Sequence, residues 1–446
     1  MASAACCRAP ILRRPSRHYQ WYWNYRQDDR KEEEWMKYIN IDNEIIEDAY
    51  NEQKDEVEID GGIMINLKQQ IQYQKVDLSE QCVIKRVLLE ERVGRNVHPQ
   101  EERFSQTIVV STTTPIDGQR DLPRRDADTH AASIEKYDLI SDDVQTSHMT
   151  RSLHWIFSSV LGNKPATESE NKNKERNDAI EHAIQKVLSV DKTQTGMQWM
   201  RSGYFSSGYE LSELRSKNKT IANVVQEAAE GILKEGEAVG KLCQAQHLAQ
   251  QLMKVKHYGE DIQVKYFKGI QCPSEIGDTF VNVYTKDSFW YKLLNGVLRH
   301  PKTASYDQLK TLGPFCFLLH SYLKNISTTD ILRVYRGILL TTDEERKSFM
   351  DKHVRFLSFN STTANRELAE IYGNTLLIID LDTKFNAMQD CQVGASISHL
   401  SNFPEEEEYL LWTGACFEFV KYEYDDQKHK HIIYLKSSEA NNNLFS

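Results

Sequence analysis

Phe403-Pro404-Glu405-Glu406-Glu407-Glu408-Tyr409-Leu410-Leu411 is the stretch that decides how this chain is read. Pro404 fixes its own φ and removes a backbone donor, which marks a turn. From Tyr409 onward the residues are apolar β-formers, so a strand begins there. Four carboxylates crowd the junction. An acidic cluster standing alone is a solvated turn. Here two upstream segments also set a polar group at the edge of a strand-like run: Val334-Tyr335-Arg336-Gly337, and Phe359-Asn360-Ser361-Thr362-Thr363.

Working outward, the residues after 330 are short β-rich runs. Ile331 to Arg336, Val354 to Phe359, Thr375 to Leu381, Tyr409 to Tyr424 and His431 to Leu435 predict strands, with helical stretches at 341–351 and 364–372. Before them the period is helical. Ile221, Val224, Val225, Ala228 and Ile232 through Val255 predict two helices separated near Gly231, Gly236 or Gly240. A further helix follows Thr285, and another spans Phe315 to Lys324 with Pro314 in its first turn. Helices first and strands afterwards predict an α+β domain over 177–440. Residues 19–90 form a separate compact unit. Residues 91–176 are rich in Ser, Thr, Asp, Arg and Pro and predict a largely disordered linker.

The 446 residues carry a formal net charge of −10, which argues against a nucleic-acid surface and predicts no DNA partner. No apolar run is long enough to span a membrane, and residues 1–18 lack the apolar core of a secretory signal. The eight cysteines show no Cys-x-x-Cys spacing, which predicts neither a zinc site nor a disulfide framework. His429 and His431 are a weak metal hint and fit a solvated strand edge better, so no metal is expected. An intracellular, cytoplasmic location is expected. No glycine-rich dinucleotide or phosphate loop and no Gly-x-Ser-x-Gly elbow is present.

An arginine, a serine and a Glu-x-Glu pair in this order resemble the arginine–serine–glutamate class of mono-ADP-ribosyltransferases. The resemblance spans about 200–436 and includes Gly394-Ala395-Ser396-Ile397-Ser398-His399-Leu400-Ser401, similar to the family's acceptor loop, and Phe289-Trp290-Tyr291-Lys292-Leu293-Leu294-Asn295, similar to the helix before its core. It implies a β-sandwich core with an N-terminal helical part, and NAD as co-substrate. Breaking the nicotinamide–ribose bond builds positive charge on the sugar, as in glycoside cleavage. Arg336 would anchor the diphosphate as a fork that is always charged, with Gly337 allowing close approach. Ser361, with Thr362 beside it, would organise the site and hold Glu408. Glu408 would assist loss of nicotinamide. Glu406, two residues earlier on an extended chain, would orient the acceptor. Glu405 and Glu407 form an equivalent pair, and Glu406/Glu408 are preferred because the carboxylate bordering the strand is best fixed. A glutamate at the first position implies arginine on acceptor proteins. The chain departs from the family at Tyr409-Leu410-Leu411-Trp412, where Val-Leu-Ile-Pro is common, and at Glu405, where glycine is common.

In the N-terminal unit, Trp21 or Trp23, then Trp35 and Glu47, resemble the WWE domain, which implies a small half-barrel of strands on one helix. Trp23, Arg26 and Gln72 fall where members that bind ADP-ribose polymer contact it. Ile63 and Cys82 stand where an aromatic and a basic group are expected. The partner implied is either that polymer or a protein. Three activities follow for the whole chain: arginine mono-ADP-ribosylation, a non-catalytic binding scaffold, and an NAD glycohydrolase.

Overall fold

The computed structural model describes residues 19–24, 35–89, 110–111, 205–214, 218–264, 271–300, 304–328, 330–381 and 392–438. Much of the predicted linker and the first part of the predicted 177–440 domain, residues 177–204, lie outside them.

The N-terminal unit is a six-stranded antiparallel sheet in the order β2-β1-β6-β5-β4-β3. Its strands are β1 (Tyr19–Asn24), β2 (Trp35–Lys37), β3 (Glu56–Ile59), β4 (Ile63–Asn66), β5 (Ile71–Gln74) and β6 (Asp77–Leu88). One helix, α1 (Asn40–Asn51), closes the sheet's inner face. Its Ile41, Ile45, Ile46 and Ala49 recur at helical spacing and pack with Trp21, Ile59, Ile65 and Ile84. Trp21 Nε1 donates to Glu47 Oε2 at 2.9 Å, and Glu47 also receives a forked pair of bonds from Arg86. Of the two tryptophans, Trp21 is therefore the one that meets Glu47. Trp23 packs at the edge of the core.

The C-terminal unit begins with helices: α2 (Phe205–Tyr209), α3 (Ile221–Ala238), α4 (Leu242–Val255), α5 (Ser274–Thr285), α6 (Phe289–Arg299) and α7 (Tyr306–Ile326). The break predicted in the first helical run falls at Val239–Lys241. Gly231 lies inside α3, where a Cβ would meet the Thr311 carbonyl oxygen of α7 at 2.0 Å. Helix α7 starts nine residues before the predicted Phe315. Ser305 and Gln308 form a capping box at its start, and Pro314 is interior. A proline there costs one backbone bond, and the buried apolar side of α7 offsets it.

Nine strands then hydrogen-bond in the order β12-β13-β10-β8-β11-β15-β14-β9-β7. They are β7 (Val110–Ser111), β8 (Arg333–Ile338), β9 (Val354–Phe356), β10 (Asn360–Thr363), β11 (Thr375–Asp380), β12 (Gly394–Ser396), β13 (Glu408–Leu411), β14 (Cys416–Asp425) and β15 (Lys430–Ser437). Two short helices, α8 (Asp343–Ser348) and α9 (Arg366–Glu370), fill crossovers. The single strand predicted over 409–424 is two, β13 and β14, joined by a turn at Thr413–Gly414. Val110 and Ser111, from the predicted linker, add a two-residue strand beside β9. β8 and β11 pair over six residues, whereas β10 meets β8 at one pair only, Thr363 with Tyr335. The sheet thus has two halves, β12-β13-β10 and β8 through β7, joined at a one-pair seam.

Gly337 follows Arg336 on β8. A Cβ there would meet Ala369 O at 2.1 Å and Tyr372 O at 2.6 Å. The chain's own backbone, in α9 and just after it, makes the close approach. Backbone oxygens cannot give way as a flexible side chain does. Gly337→Ala is expected to destabilise the fold by about 3 kcal/mol and lower its melting midpoint by about 8 °C, measured by calorimetry. An unchanged midpoint would show that α9 moves freely.

The two units touch. Asp60, after β3, accepts from the Cys243 and Gln244 backbone N–H groups in the first turn of α4, at 2.8 and 3.2 Å. Gln244 Nε2 donates to Asp42 Oδ1, and Lys286 Nζ donates to Glu44 Oε2 at 2.5 Å.

Candidate active site

Arg336, Ser361 and Glu408 lie on β8, β10 and β13, three neighbouring strands at the seam. Arg336 is 2% exposed, and its Nη1 donates to the Ser361 carbonyl oxygen. The guanidinium thereby bridges the two halves of the sheet where backbone pairing is thinnest. Ser361 stands opposite Leu410, and Thr363 opposite Glu408. Thr362 Oγ1 donates to the Tyr409 carbonyl oxygen at 2.6 Å, tying β10 to β13 a second time. A dense run of hydroxyls thus lies between the arginine strand and the glutamate strand.

Glu408 is fully buried at the start of β13. The contact expected from Ser361 is made instead by Ser401, whose hydroxyl donates to Glu408 Oε2 at 3.2 Å and accepts from the Phe403 N–H at 3.1 Å. With the backbone N–H engaging its oxygen, the Ser401 proton is directed at the carboxylate. Ser361 Oγ makes no hydrogen bond among the described residues, and it is the Ser361 carbonyl that the arginine engages. Ile397 N and Ser398 Oγ both donate to the Glu408 carbonyl oxygen, so the segment before β13 folds back onto it.

The geometry of Glu406 differs from the extended chain expected. Pro404–Glu406 is a 3₁₀ turn, and Glu407 adopts a left-handed conformation with φ 46° and ψ 45°. Glu406 and Glu408 are both buried, at 1% and 0% exposure, while Glu405 and Glu407 face solvent. The alternation arises from a tight turn and not from the pleat. It separates the two possible glutamate pairs: one is enclosed, the other hydrated.

In the N-terminal unit, Gln72 is buried and its Oε1 accepts from Tyr38 OH at 2.5 Å. It faces Ile65 on β4 and Cys82 on β6. Trp23 is half-buried on β1. Arg26 lies outside the described residues. Trp35 carries Lys85 Nζ 3.6 Å from its ring centroid, a cation–π contact on the sheet. Among the described residues no group of three His, Cys, Asp or Glu side chains could hold a metal, and no helix is long and apolar enough to cross a membrane.

An arginine, a serine and a glutamate thus stand on neighbouring strands of a mixed sheet, behind a helical subdomain. Residues 244–443 match the family model of NAD:arginine ADP-ribosyltransferases, and residues 19–86 match that of the WWE domain. The chain thus carries an ADP-ribosyltransferase domain of the NAD:arginine family behind a WWE domain, which supports NAD-dependent ADP-ribose transfer. No curated protein matches the chain significantly. Solved structures it resembles include ADP-ribosyltransferase HopU1 of Pseudomonas syringae pv. Tomato, 21% identical over 37% of this chain and 77% of that one, TM-score 0.31. Exoenzyme S of Pseudomonas aeruginosa, solved with human 14-3-3 beta and carba-NAD, is 15% identical over 48% and 90%, TM-score 0.33. The type III effector XopAI of Xanthomonas axonopodis pv. citri is 15% identical over 55% and 96%, TM-score 0.35.

Proposed function

We propose that this protein transfers ADP-ribose from NAD to arginine side chains of acceptor proteins, with residues 177–440 as the catalytic unit and 91–176 as a tether. Arg336 grips the diphosphate. The Ser361 hydroxyl, which no described residue uses, meets the nicotinamide ribose, with Thr362 holding its strand. Glu408 accepts a hydrogen bond from a ribose hydroxyl and stabilises the cation that forms as the C1′–N bond breaks and nicotinamide leaves with the electron pair. An acceptor guanidinium nitrogen then attacks C1′ and gives up one proton to solvent, so that the product guanidinium keeps a single positive charge. Glu406 orients that guanidinium by a charge-assisted pair. The observation that carries this reading is the burial of Glu406 and Glu408, with Glu408 on the strand paired to that of Ser361 and with Glu405 and Glu407 in solvent.

Incubation with NAD labelled in its adenylate and a mixed protein extract tests it. Labelled protein, stable to hydroxylamine conditions that strip carboxylate esters but not guanidine linkages, is expected. Glu406→Gln is expected to keep nicotinamide release within about threefold while cutting arginine labelling about a hundredfold, because only the acceptor loses its charge partner. Free ADP-ribose without labelled protein would identify a glycohydrolase. No nicotinamide release at all would identify a binding scaffold. Its intracellular, cytoplasmic setting follows the same reading, as does recognition of ADP-ribose polymer or a protein by the WWE unit through Trp23, Arg26 and Gln72.

A further inference from the structure

Glu44 of the N-terminal unit and Glu408 of the catalytic sheet are joined by a run of short contacts. Glu44 Oε2 meets Lys286 Nζ at 2.5 Å, and His247 Nε2 lies 3.4 Å from the same oxygen. Lys286 is 1% exposed and immediately follows Thr285, the last residue of α5. Thr285 Oγ1 accepts from the Asn402 backbone N–H at 3.1 Å and from Asn402 Nδ2 at 2.9 Å, and donates to the Asn282 carbonyl oxygen. Asn402 Nδ2 also reaches that Asn282 oxygen at 2.7 Å. Asn402 sits between Ser401, which holds Glu408 Oε2, and Phe403, whose N–H fixes the Ser401 hydroxyl.

We propose that the Glu44–Lys286 ion pair is a positioning device for Glu408, acting through Thr285, Asn402 and Ser401, so that the N-terminal unit is part of the catalytic machinery. The proposal rests on the assignment of Glu408 above. A lysine this buried is stable only beside an anion. Burial raises the Glu44 carboxyl, but the Lys286 ammonium and His247 outweigh it and hold Glu44 at about 2, ionised throughout the neutral range. Without Glu44, the ammonium must reach water, and the Thr285–Lys286 turn moves with it. Asn402 loses its anchor, and the Ser401 hydroxyl loses the backbone geometry that directs its proton at Glu408. Glu44, Lys286, Thr285 and Asn402 touch no reacting atom. Their effect is on the orientation of one that does.

The full chain tests this, as wild type and as Glu44→Gln. Amide hydrogen exchange is followed over 397–411, and nicotinamide release is measured with NAD varied. Exchange at Phe403 is expected to rise about tenfold while that of β11 stays unchanged. Turnover is expected to fall about tenfold with KM for NAD within about twofold. The reversed pair, Glu44→Lys with Lys286→Glu, restores both. If Glu44→Gln fails to fold, Thr285→Val, which keeps the ion pair and removes only the hydroxyl holding Asn402, is expected to show the same changes. Unchanged exchange at Phe403, or exchange raised equally across the whole sheet, overturns the proposal. The exchange arm needs no activity, so wild-type protein that releases no nicotinamide refutes the role of Glu408 while the link from Glu44 is still judged.

Discussion

Glu408→Gln is expected to lower both ADP-ribose transfer and nicotinamide release about a thousandfold, with NAD affinity within about threefold of wild type. The amide keeps the size of the carboxylate and can still accept from Ser401, so the packing at the start of β13 survives. What disappears is a negative charge that matters little to bound NAD and much to the sugar cation formed as nicotinamide departs. The site is water-poor, with Glu408 fully buried, so that charge acts at a lower effective dielectric than in solution. Rapid-quench measurement of nicotinamide release, with NAD affinity from titration calorimetry, decides it. Turnover unimpaired in this variant would remove Glu408 from the chemistry.

Arg336→Lys is expected to raise KM for NAD about a hundredfold and also to lower the melting midpoint. On the proposed reading two roles meet in this guanidinium. Toward the ligand it offers a planar fork matched to phosphate oxygens, where an ammonium offers only a point charge. Toward the protein, its Nη1 bonds the Ser361 carbonyl across a seam whose only backbone pairing is Thr363 with Tyr335. Lysine keeps the charge but cannot serve both directions at once. A steady-state titration of NAD, paired with a thermal melt, separates the roles. An unchanged KM with a lowered midpoint would make Arg336 a fastener of the sheet alone.

The order of elements was legible because it depends on local periodicity. Apolar residues three and four apart marked α3 and α4, and β-branched runs marked β8 and β11. Boundaries set by tertiary packing were not. Pro314 suggested a helix start, yet the capping box at Ser305 and the apolar side of α7 carry the helix through it. The trio Arg336, Ser361 and Glu408 was visible as types in sequence, and their meeting on adjacent strands could come only from topology. Ser401 was missed because a serine in a hydroxyl-rich loop carries no local mark of the carboxylate it faces. The only hint was its place at the end of the Gly394–Ser401 segment. Gly337 reads in sequence as room for a ligand, and nothing local in the sequence signals that the Ala369 carbonyl also needs the absent side chain. Lys286 offered no signal, since its partner lies 242 positions away in another unit.

The place of β15 bears on how the enzyme is made. This strand, Lys430–Ser437, lies between β11 and β14, parallel to one and antiparallel to the other. A ribosome delivers β11 some fifty residues earlier, at a rate of about 5–20 residues per second, so β11 waits several seconds with one side unpaired. Until β15 emerges, the nascent sheet has two open edges at its middle, the condition under which chains pair with one another. A chaperone that shields extended segments should therefore raise the yield of active protein more than one that acts on helices.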